Sequence, residues 1–158
     1  MKEKINPFEY SDLVISQDLV LATKSKDKVN IMALAWKTLG NLWGYNVWVV
    51  AVKPSRYTYE MLNQNPEFTL HLFPPEKDNV VNIAGSTSGV YTDKIKETGI
   101  TPIPSKFVSV PIFKEAAISY ECKVIHTAES GEITDHRLYF GQILVAYADK
   151  ALVSKCFE

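Results

Sequence analysis

The chain has few of the residues that mark several protein classes. Its two cysteines, Cys122 and Cys156, are too few for a disulfide framework. Its seven glycines form no Gly-x-Gly-x-x-Gly or Walker pattern, so a nicotinamide nucleotide would not sit in the usual strand-to-helix cradle. The longest apolar run, residues 47–52, is too short to span a membrane, and the first residues lack a signal-peptide core. These absences predict a cytoplasmic protein without membrane contact.

The charge balance excludes a further class of partner. The 158 residues include 17 Lys+Arg and 18 Asp+Glu, which gives a net charge of -1 and argues against binding to nucleic acid.

No histidine has a Cys, His, Asp or Glu at a recognised ligand spacing, so we expect no metal site. No pattern supports a catalytic nucleophile either. The length predicts one domain, residues 1–158.

Strand-like patterns dominate what the sequence does contain. Short helices are predicted only at 55–65, 76–84 and 92–98. A mainly β fold is therefore expected, and about six strands favour a closed antiparallel barrel because an open sheet would expose its edges. The predicted strands are residues 19–24, 29–36, 46–53, 67–73, 116–127 and 136–149.

Two of these strands, 46–53 and 138–148, are apolar on both faces, which is more than a barrel interior needs. A second subunit could cover the second apolar face of these strands, and twofold dimers are the commonest oligomers. The chain's own helices could cover it equally well. The sequence leaves both alternatives open.

The sharpest local signal is the segment Pro54-Ser55-Arg56-Tyr57-Thr58 at the start of a predicted helix. Helix N-termini present unpaired N–H groups that suit a phosphate, and here Ser55 is the predicted cap. Arg56 adds a fixed charge and is one of only two arginines in the chain. The simpler alternative is an ordinary capped helix with a solvated arginine.

Two further segments can border a ligand. The loop 85–89 (Gly-Ser-Thr-Ser-Gly) lets a ligand approach its backbone closely, and Lys94 follows it; a plain connection between helices is the alternative. On strand 29–36, Met32 and Trp36 are predicted to share a face with Asn30, while small Ala33 and Ala35 would admit a flat ring on the other face. The alternative there is a core strand with a buried tryptophan.

In this order, the segments resemble the flavin reductase-like, FMN-binding split-barrel family, and especially its flavoredoxin-like branch. That resemblance implies a six-stranded Greek-key split β-barrel that forms a homodimer and binds one FMN per subunit near the interface. The matching motifs are Leu21-Ala22-Thr23, Asn30-x5-Trp36, residues 54–58, residues 85–89 followed by Asp93-Lys94, Ala116-x-Ile118-x-Tyr120-Glu121-Cys122, and His136-x4-Gly141-Gln142.

The resemblance also implies roles for individual residues. Hydroxyls and Arg56 would hold the phosphate, Lys94 would add a positive charge near the flavin, and the aromatic Phe157 in the tail would cover the pocket. The residues that would contact the phosphate are Ser55, Arg56 and Thr58. The residues that would lie along the flavin and its ribityl chain are Asn30, Met32, Ala33 and Trp36. The residues that would border the ring are Ser86, Ser88 and Gly89, with Lys94 and His136 close by.

The activity that the resemblance implies is an FMN-dependent oxidoreductase that takes hydride from NADH or NADPH. An FMN electron carrier of flavoredoxin type, reduced by a redox protein partner, is the close alternative. A split barrel that binds a ligand without catalysis is the third. The lack of a dinucleotide motif fits the first two equally, so the sequence does not separate them.

Overall fold

One large antiparallel sheet dominates the structure, a computed structural model that describes residues 1–86, 88–90 and 93–157. Its strands are β1 (Lys2–Ile5), β2 (Leu19–Ser25), β3 (Lys28–Leu34), β4 (Lys37–Leu42), β5 (Tyr45–Val52), β6 (Glu67–Leu72), β9 (Ile118–Glu129) and β10 (Arg137–Asp149), with β7 (Pro102–Ile103) and β8 (Ile112–Phe113) paired separately. The helices are α1 (Ser11–Ser16), α2 (Tyr57–Gln64), α3 (Asp78–Ser86), α4 (Lys94–Thr98) and α5 (Lys150–Lys155), with a 3₁₀ turn at Pro75–Lys77.

The strand order is β3-β2-β6-β9-β10-β5-β4, with β1 paired to the end of β10. The long strand β10 therefore meets β9 along one side, while its other side pairs first with β5 and then with β1. The outermost strands, β3 and β4, are consecutive in the chain and joined by Ala35 and Trp36. The predicted mainly β fold is confirmed, and the sheet splits between these two strands.

The large sheet has two strands beyond the six predicted. Strand β4 has no clear alternating pattern, but Trp43 (φ 59°) and Gly44 (φ 82°) form a tight turn that folds it onto β5. Strand β1 is largely charged and gains its order by pairing with β10. Both strands form because they pair with β5 or β10, and a local sequence pattern does not indicate such pairing.

Two hydrophobic cores lie on opposite faces of the sheet. The larger contains Trp48, Tyr120 and Phe68, and the smaller packs Val80 and Ala84 of α3 against the strands. Val80 and Ala84 are four residues apart and so share one helix face. This packing holds α3 beside β3, the position from which it borders the site. None of the helices in the described ranges has the length and apolar character needed to cross a bilayer.

Candidate functional site

Two adjoining cavities lie where β3, α2 and α3 meet. The cationic cavity, of about 310 Å³, and the aromatic cavity, of about 410 Å³, share Ser55 and Arg56 in their walls and are therefore neighbours. The cationic cavity is lined by Asn30, Met32, Ser55, Arg56, Tyr57, Thr58, Gly85, Ser86, Ser88, Gly89 and Lys94. The aromatic cavity is lined by Ala33, Ala35, Trp36, Ala51, Lys53, Ser55, Arg56 and His136.

The start of α2 forms one wall of the cationic cavity. Arg56 occupies the N-cap position and makes no side-chain cap hydrogen bond, so the prediction that Ser55 caps this helix is wrong. The reason is a turn in which the Arg56 N–H donates to the Lys53 carbonyl at 2.9 Å, and which delays the first helical residue to Tyr57. In the described residues the Arg56 guanidinium has no carboxylate partner. Its charge is available to a ligand.

Lys94 places a second cation in the same cavity. The side chain is buried, and its Nζ donates to the carbonyls of Ile31 (2.9 Å) and Ala84 (2.8 Å). Burial first, and the neighbouring Arg56 second, lower the pKa of Lys94 to about 8. An ammonium has three N–H donors, and the structure gives partners to two of them. The cavity thus combines two cations with no acid among its described lining residues.

Gly89 brings its backbone against Asn30 on β3. A Cβ on Gly89 would overlap the Asn30 carboxamide oxygen and lie 2.9 Å from Cδ2 of Tyr57, so no larger residue fits without a shift. The Lys28 ammonium holds this segment by donating to the Gly89 carbonyl at 2.7 Å. The Asn30 amide in turn donates to the buried Thr58 hydroxyl at 3.5 Å. These contacts give the cavity a fixed polar wall.

The aromatic cavity combines small residues with the two rings of Trp36 and His136. Trp36 stacks on His136 with ring centroids 4.5 Å apart and planes tilted by 41°. Nδ1 of His136 lies 2.8 Å from the Thr134 hydroxyl and 3.3 Å from the Asp135 carboxylate, which fix the ring's orientation. Alanines at the other walls leave room for a planar group.

Trp36 does not share the core face of β3. The strand ends at Leu34, so the chain turns outward and leaves Trp36 57% exposed. Both the expected common face with Met32 and the alternative of a buried tryptophan are therefore wrong. The indole lies at the mouth of the aromatic cavity instead.

Twelve of the thirteen predicted site residues line one of the two cavities. Phe157 lines neither and is 68% exposed in the turn after α5, so the structure does not bring it to the site. Thr87, within the predicted loop, and Thr92, the predicted start of the helix that begins at Lys94, lie outside the described residues. Residues 86, 88 and 89, expected at the ring, line the same cavity as the predicted phosphate group.

Five lining residues were not among the predicted site residues: Ala35, Tyr57 and Gly85 lie within the quoted segments, whereas Ala51 and Lys53 lie outside all of them. Both lie at the end of β5, where the Ala51 N–H donates to the Trp36 carbonyl at 3.1 Å. Their only signal was position, since Lys53 directly precedes the Pro54 segment. No group of three or more His, Cys, Asp or Glu side chains is arranged for a metal in the part of the chain that the structure describes.

The split antiparallel sheet carries a cationic cavity beside an aromatic one. The family model described as "Flavin reductase like domain" matches residues 15–155, and the chain belongs to this family. The resemblance drawn from the sequence motifs is confirmed.

Uncharacterised archaeal proteins are among its relatives. One from Pyrococcus abyssi is 37% identical over 124 residues, which is 78% of this chain and 68% of the relative. One from Archaeoglobus fulgidus is 30% identical over 142 residues, 90% of this chain and 76% of the relative.

Solved structures show the same fold. Flavoredoxin of Desulfovibrio vulgaris superposes with a TM-score of 0.76 at 25% identity, covering 85% of this chain and 70% of its own. An FMN-binding domain of a flavin reductases-like enzyme from Shewanella baltica gives a TM-score of 0.80 and covers 95% of this chain and 78% of its own. At 18% identity, this likeness shows the fold alone.

Proposed function

We propose that the protein binds FMN with its phosphate in the cationic cavity and its ring in the aromatic cavity. The observation that carries this proposal is the pair of cations, Arg56 and Lys94, that face one cavity without an acidic partner among the described residues. A buried charge without a counter-ion is costly, and a phosphate supplies that counter-ion. When bound, FMN supplies the redox chemistry, as acceptor and donor of hydride or single electrons.

Each wall of the cationic cavity has a role in holding the phosphate and the ribityl chain. Arg56 offers forked N–H donors, and the hydroxyls of Ser55 and Thr58 add donors beside it. Ser86 and Ser88 line the same cavity. We therefore assign residues 86–89 (as far as they are described) and Lys94 to the phosphate end rather than to the ring.

The aromatic cavity would hold the ring between small alanines and the stacked pair Trp36 and His136. A separate exposed aromatic cluster lies at the other end of β4, where Trp43 is 5.4 Å from both His126 and Phe140. Trp43 is 57% exposed, as is Trp36. A second copy of the chain would cover these rings, so we propose a homodimer with the aromatic cavity near its interface.

For the activity we propose an oxidoreductase that reduces bound flavin with NADH or NADPH. The chain's residues would bind, orient and shield the flavin, and no protein nucleophile is required. An electron carrier is the second candidate, favoured by the similarity to flavoredoxin of Desulfovibrio vulgaris. A ligand-binding barrel without catalysis would be supported if the protein failed to take up FMN.

The test is a titration of the protein with FMN and with riboflavin, which lacks the phosphate. Arg56→Ala should weaken FMN binding by about thirtyfold, the effect of about 2 kcal/mol from a charge-assisted hydrogen bond, and weaken riboflavin binding far less, because Arg56 meets the ring only as one wall of the aromatic cavity. Lys123→Ala is the matched control, because Lys123 is exposed on β9 and lines neither cavity. An unchanged FMN affinity in Arg56→Ala would refute the phosphate assignment.

Anaerobic addition of NADH or NADPH to the FMN-loaded protein then separates the activities. Bleaching of the flavin absorbance by either nucleotide supports the reductase. No bleaching, together with reduction by a redox protein, supports the carrier.

A further inference from the structure

Two hydrogen bonds fix the backbone corner that carries Trp36. The Trp36 carbonyl accepts from the Ala51 N–H at 3.1 Å, and the carbonyl of the preceding Ala35 accepts from Nζ of Lys37 at 3.4 Å. The indole is packed into neither hydrophobic core of the described residues, and it meets His136 in a tilted stack. Its orientation at the mouth of the aromatic cavity therefore depends on this corner of the backbone.

Lys37 ties this corner to the end of α1. Besides the Ala35 carbonyl, its Nζ donates to the carbonyls of Gln17 at 2.8 Å and Ile15 at 3.2 Å. The last carbonyls of a helix lack helical partners and form the negative end of its dipole. The last turn of α1 contains no basic residue of its own, so Lys37 supplies the complementary charge from β4.

The Lys37 ammonium uses all of its donors inside the protein. An ammonium has three N–H groups, and three carbonyls accept from this one. Burial lowers the pKa of Lys37, and the charge of Asp18 partly offsets that effect, as expected for a cation withdrawn from water. Lys37 is not among the described residues that line the two cavities. It therefore acts on a ligand only through the residues that it holds.

We propose that Lys37 is a positioning residue that fixes the Trp36 indole against a flavin ring in the aromatic cavity. Removal of its ammonium frees the Ala35 carbonyl and the end of α1, so the indole loses its fixed orientation, whereas Lys94 keeps its two carbonyl partners. This proposal rests on the proposed function, because it takes a flavin ring in that cavity as its starting point.

A double-mutant cycle of Lys37→Met and Trp36→Ala tests this assignment. Lys37→Met keeps an unbranched side chain without N–H donors, and should weaken FMN and riboflavin binding equally, by about threefold, because the lost hydrogen bond disturbs the ring and not the phosphate end. In the Trp36→Ala background the same substitution should change either Kd by less than about 1.5-fold, since the residue through which Lys37 acts is then absent. An indole in contact with a flavin quenches the flavin's emission. The fluorescence of bound FMN should therefore rise in each single variant and rise no further in the double variant.

Stability separates positioning from a general structural effect. Loss of the bonds to Ile15 and Gln17 should lower the urea midpoint of Lys37→Met with or without Trp36, whereas the flavin Kd should respond only when Trp36 is present. Lys37→Gln is the milder variant, because its amide still offers two N–H donors, and it should give a smaller change of the same kind. It decides the question if Lys37→Met does not fold. Lys123→Met, at an exposed lysine that lines neither cavity, should leave both Kd values unchanged.

The outcomes separate this proposal from the one on which it depends. If FMN does not bind to the wild type, the proposed function fails. If FMN binds and Lys37→Met behaves like Lys123→Met, only the positioning role is overturned. The same holds if Lys37→Met weakens flavin binding equally with and without Trp36, because the effect then comes from the fold and not from the indole. A loss confined to FMN also counts against the proposal, because it lies at the phosphate end.

Discussion

The ionisation of Lys94 gives a quantitative test of the cationic cavity. Burial and the nearby Arg56 lower the pKa of Lys94 to about 8, so the free protein loses this proton just above neutral pH. A bound phosphate favours the ammonium and raises that pKa. Ligand binding must therefore be accompanied by proton uptake, and FMN affinity should fall as the pH rises above 8.

The size of the effect follows from the charges. Two unit charges about 4 Å apart attract by about 1 kcal/mol in water and about 4 kcal/mol at an effective dielectric constant of 20. An intermediate value of about 2 kcal/mol raises the pKa of Lys94 in the complex above its value of about 8 in the free protein, and this energy corresponds to about a thirtyfold change in affinity. FMN affinity should then change little between pH 7 and 7.5 and fall by about fifteenfold by pH 9.5, out of a total of about thirtyfold that is reached at still higher pH.

The assay is the FMN Kd measured from pH 7 to 9.5, a range chosen to stay above the second ionisation of a phosphate monoester near 6. Lys94→Met keeps an unbranched side chain without charge, and should bind FMN about thirtyfold more weakly at pH 7 with a flat pH profile. Calorimetry at pH 8.5 in two buffers of different ionisation enthalpy measures the proton uptake directly. A wild-type affinity that is flat across the range, without proton uptake, would refute the reasoning.

Three further predictions concern single side chains. Gly89→Ala should weaken FMN binding by about tenfold, because its Cβ would displace Asn30; Gly40→Ala, with nothing within 4 Å of its Cβ, should not change the Kd. Glu121→Gln should lower the free energy of unfolding in urea by about 2 kcal/mol, since the buried carboxylate accepts from the Phe107 N–H at 2.7 Å and a neighbouring N–H; an unchanged midpoint would contradict this. Burial lowers the pKa of His71 to about 3, against about 6.5 in an unfolded chain. The free energy of unfolding should therefore fall as the pH drops from 6.5 towards 3, by up to about 1.4 kcal/mol per pH unit. In His71→Gln this fall should be shallower, and identical pH profiles of the free energy of unfolding in variant and wild type would contradict the prediction.

How much the sequence predicts depends on how local the signal is. Strands β2 and β3 were predicted because each is an apolar segment, and the polar residues between them form the turn that pairs them. The strand predicted at 46–53 likewise matches β5 (Tyr45–Val52) to within one residue at each end. Strand β4 was missed because its sequence has a glycine and an asparagine, and only its pairing with β5 makes it a strand.

The site shows the same division. The twelve residues that the structure brings together were found through ordered motifs, since each motif lies on one short segment. What the motifs did not give was the distribution between the two cavities. Ser86 and Ser88 join Arg56 rather than Trp36 because α3 packs on β3 through Val80 and Ala84, which is a tertiary contact. Phe157 was predicted only from the resemblance of the tail to the family, and in the structure it is exposed after α5.

The two cavities differ in how far one chain completes them. Lys94 is buried and bonded to two carbonyls, and Gly89 is in contact with Asn30, so a single chain supplies the described walls of the cationic cavity. The aromatic cavity ends at Trp36, which is more than half exposed. Phosphate affinity is therefore a property of the single chain under the proposed function, while the solvent access and polarity around a ring depend on what covers Trp36. Because redox behaviour follows those two quantities, a change at the Trp36 face should alter reactivity without altering retention of the phosphate.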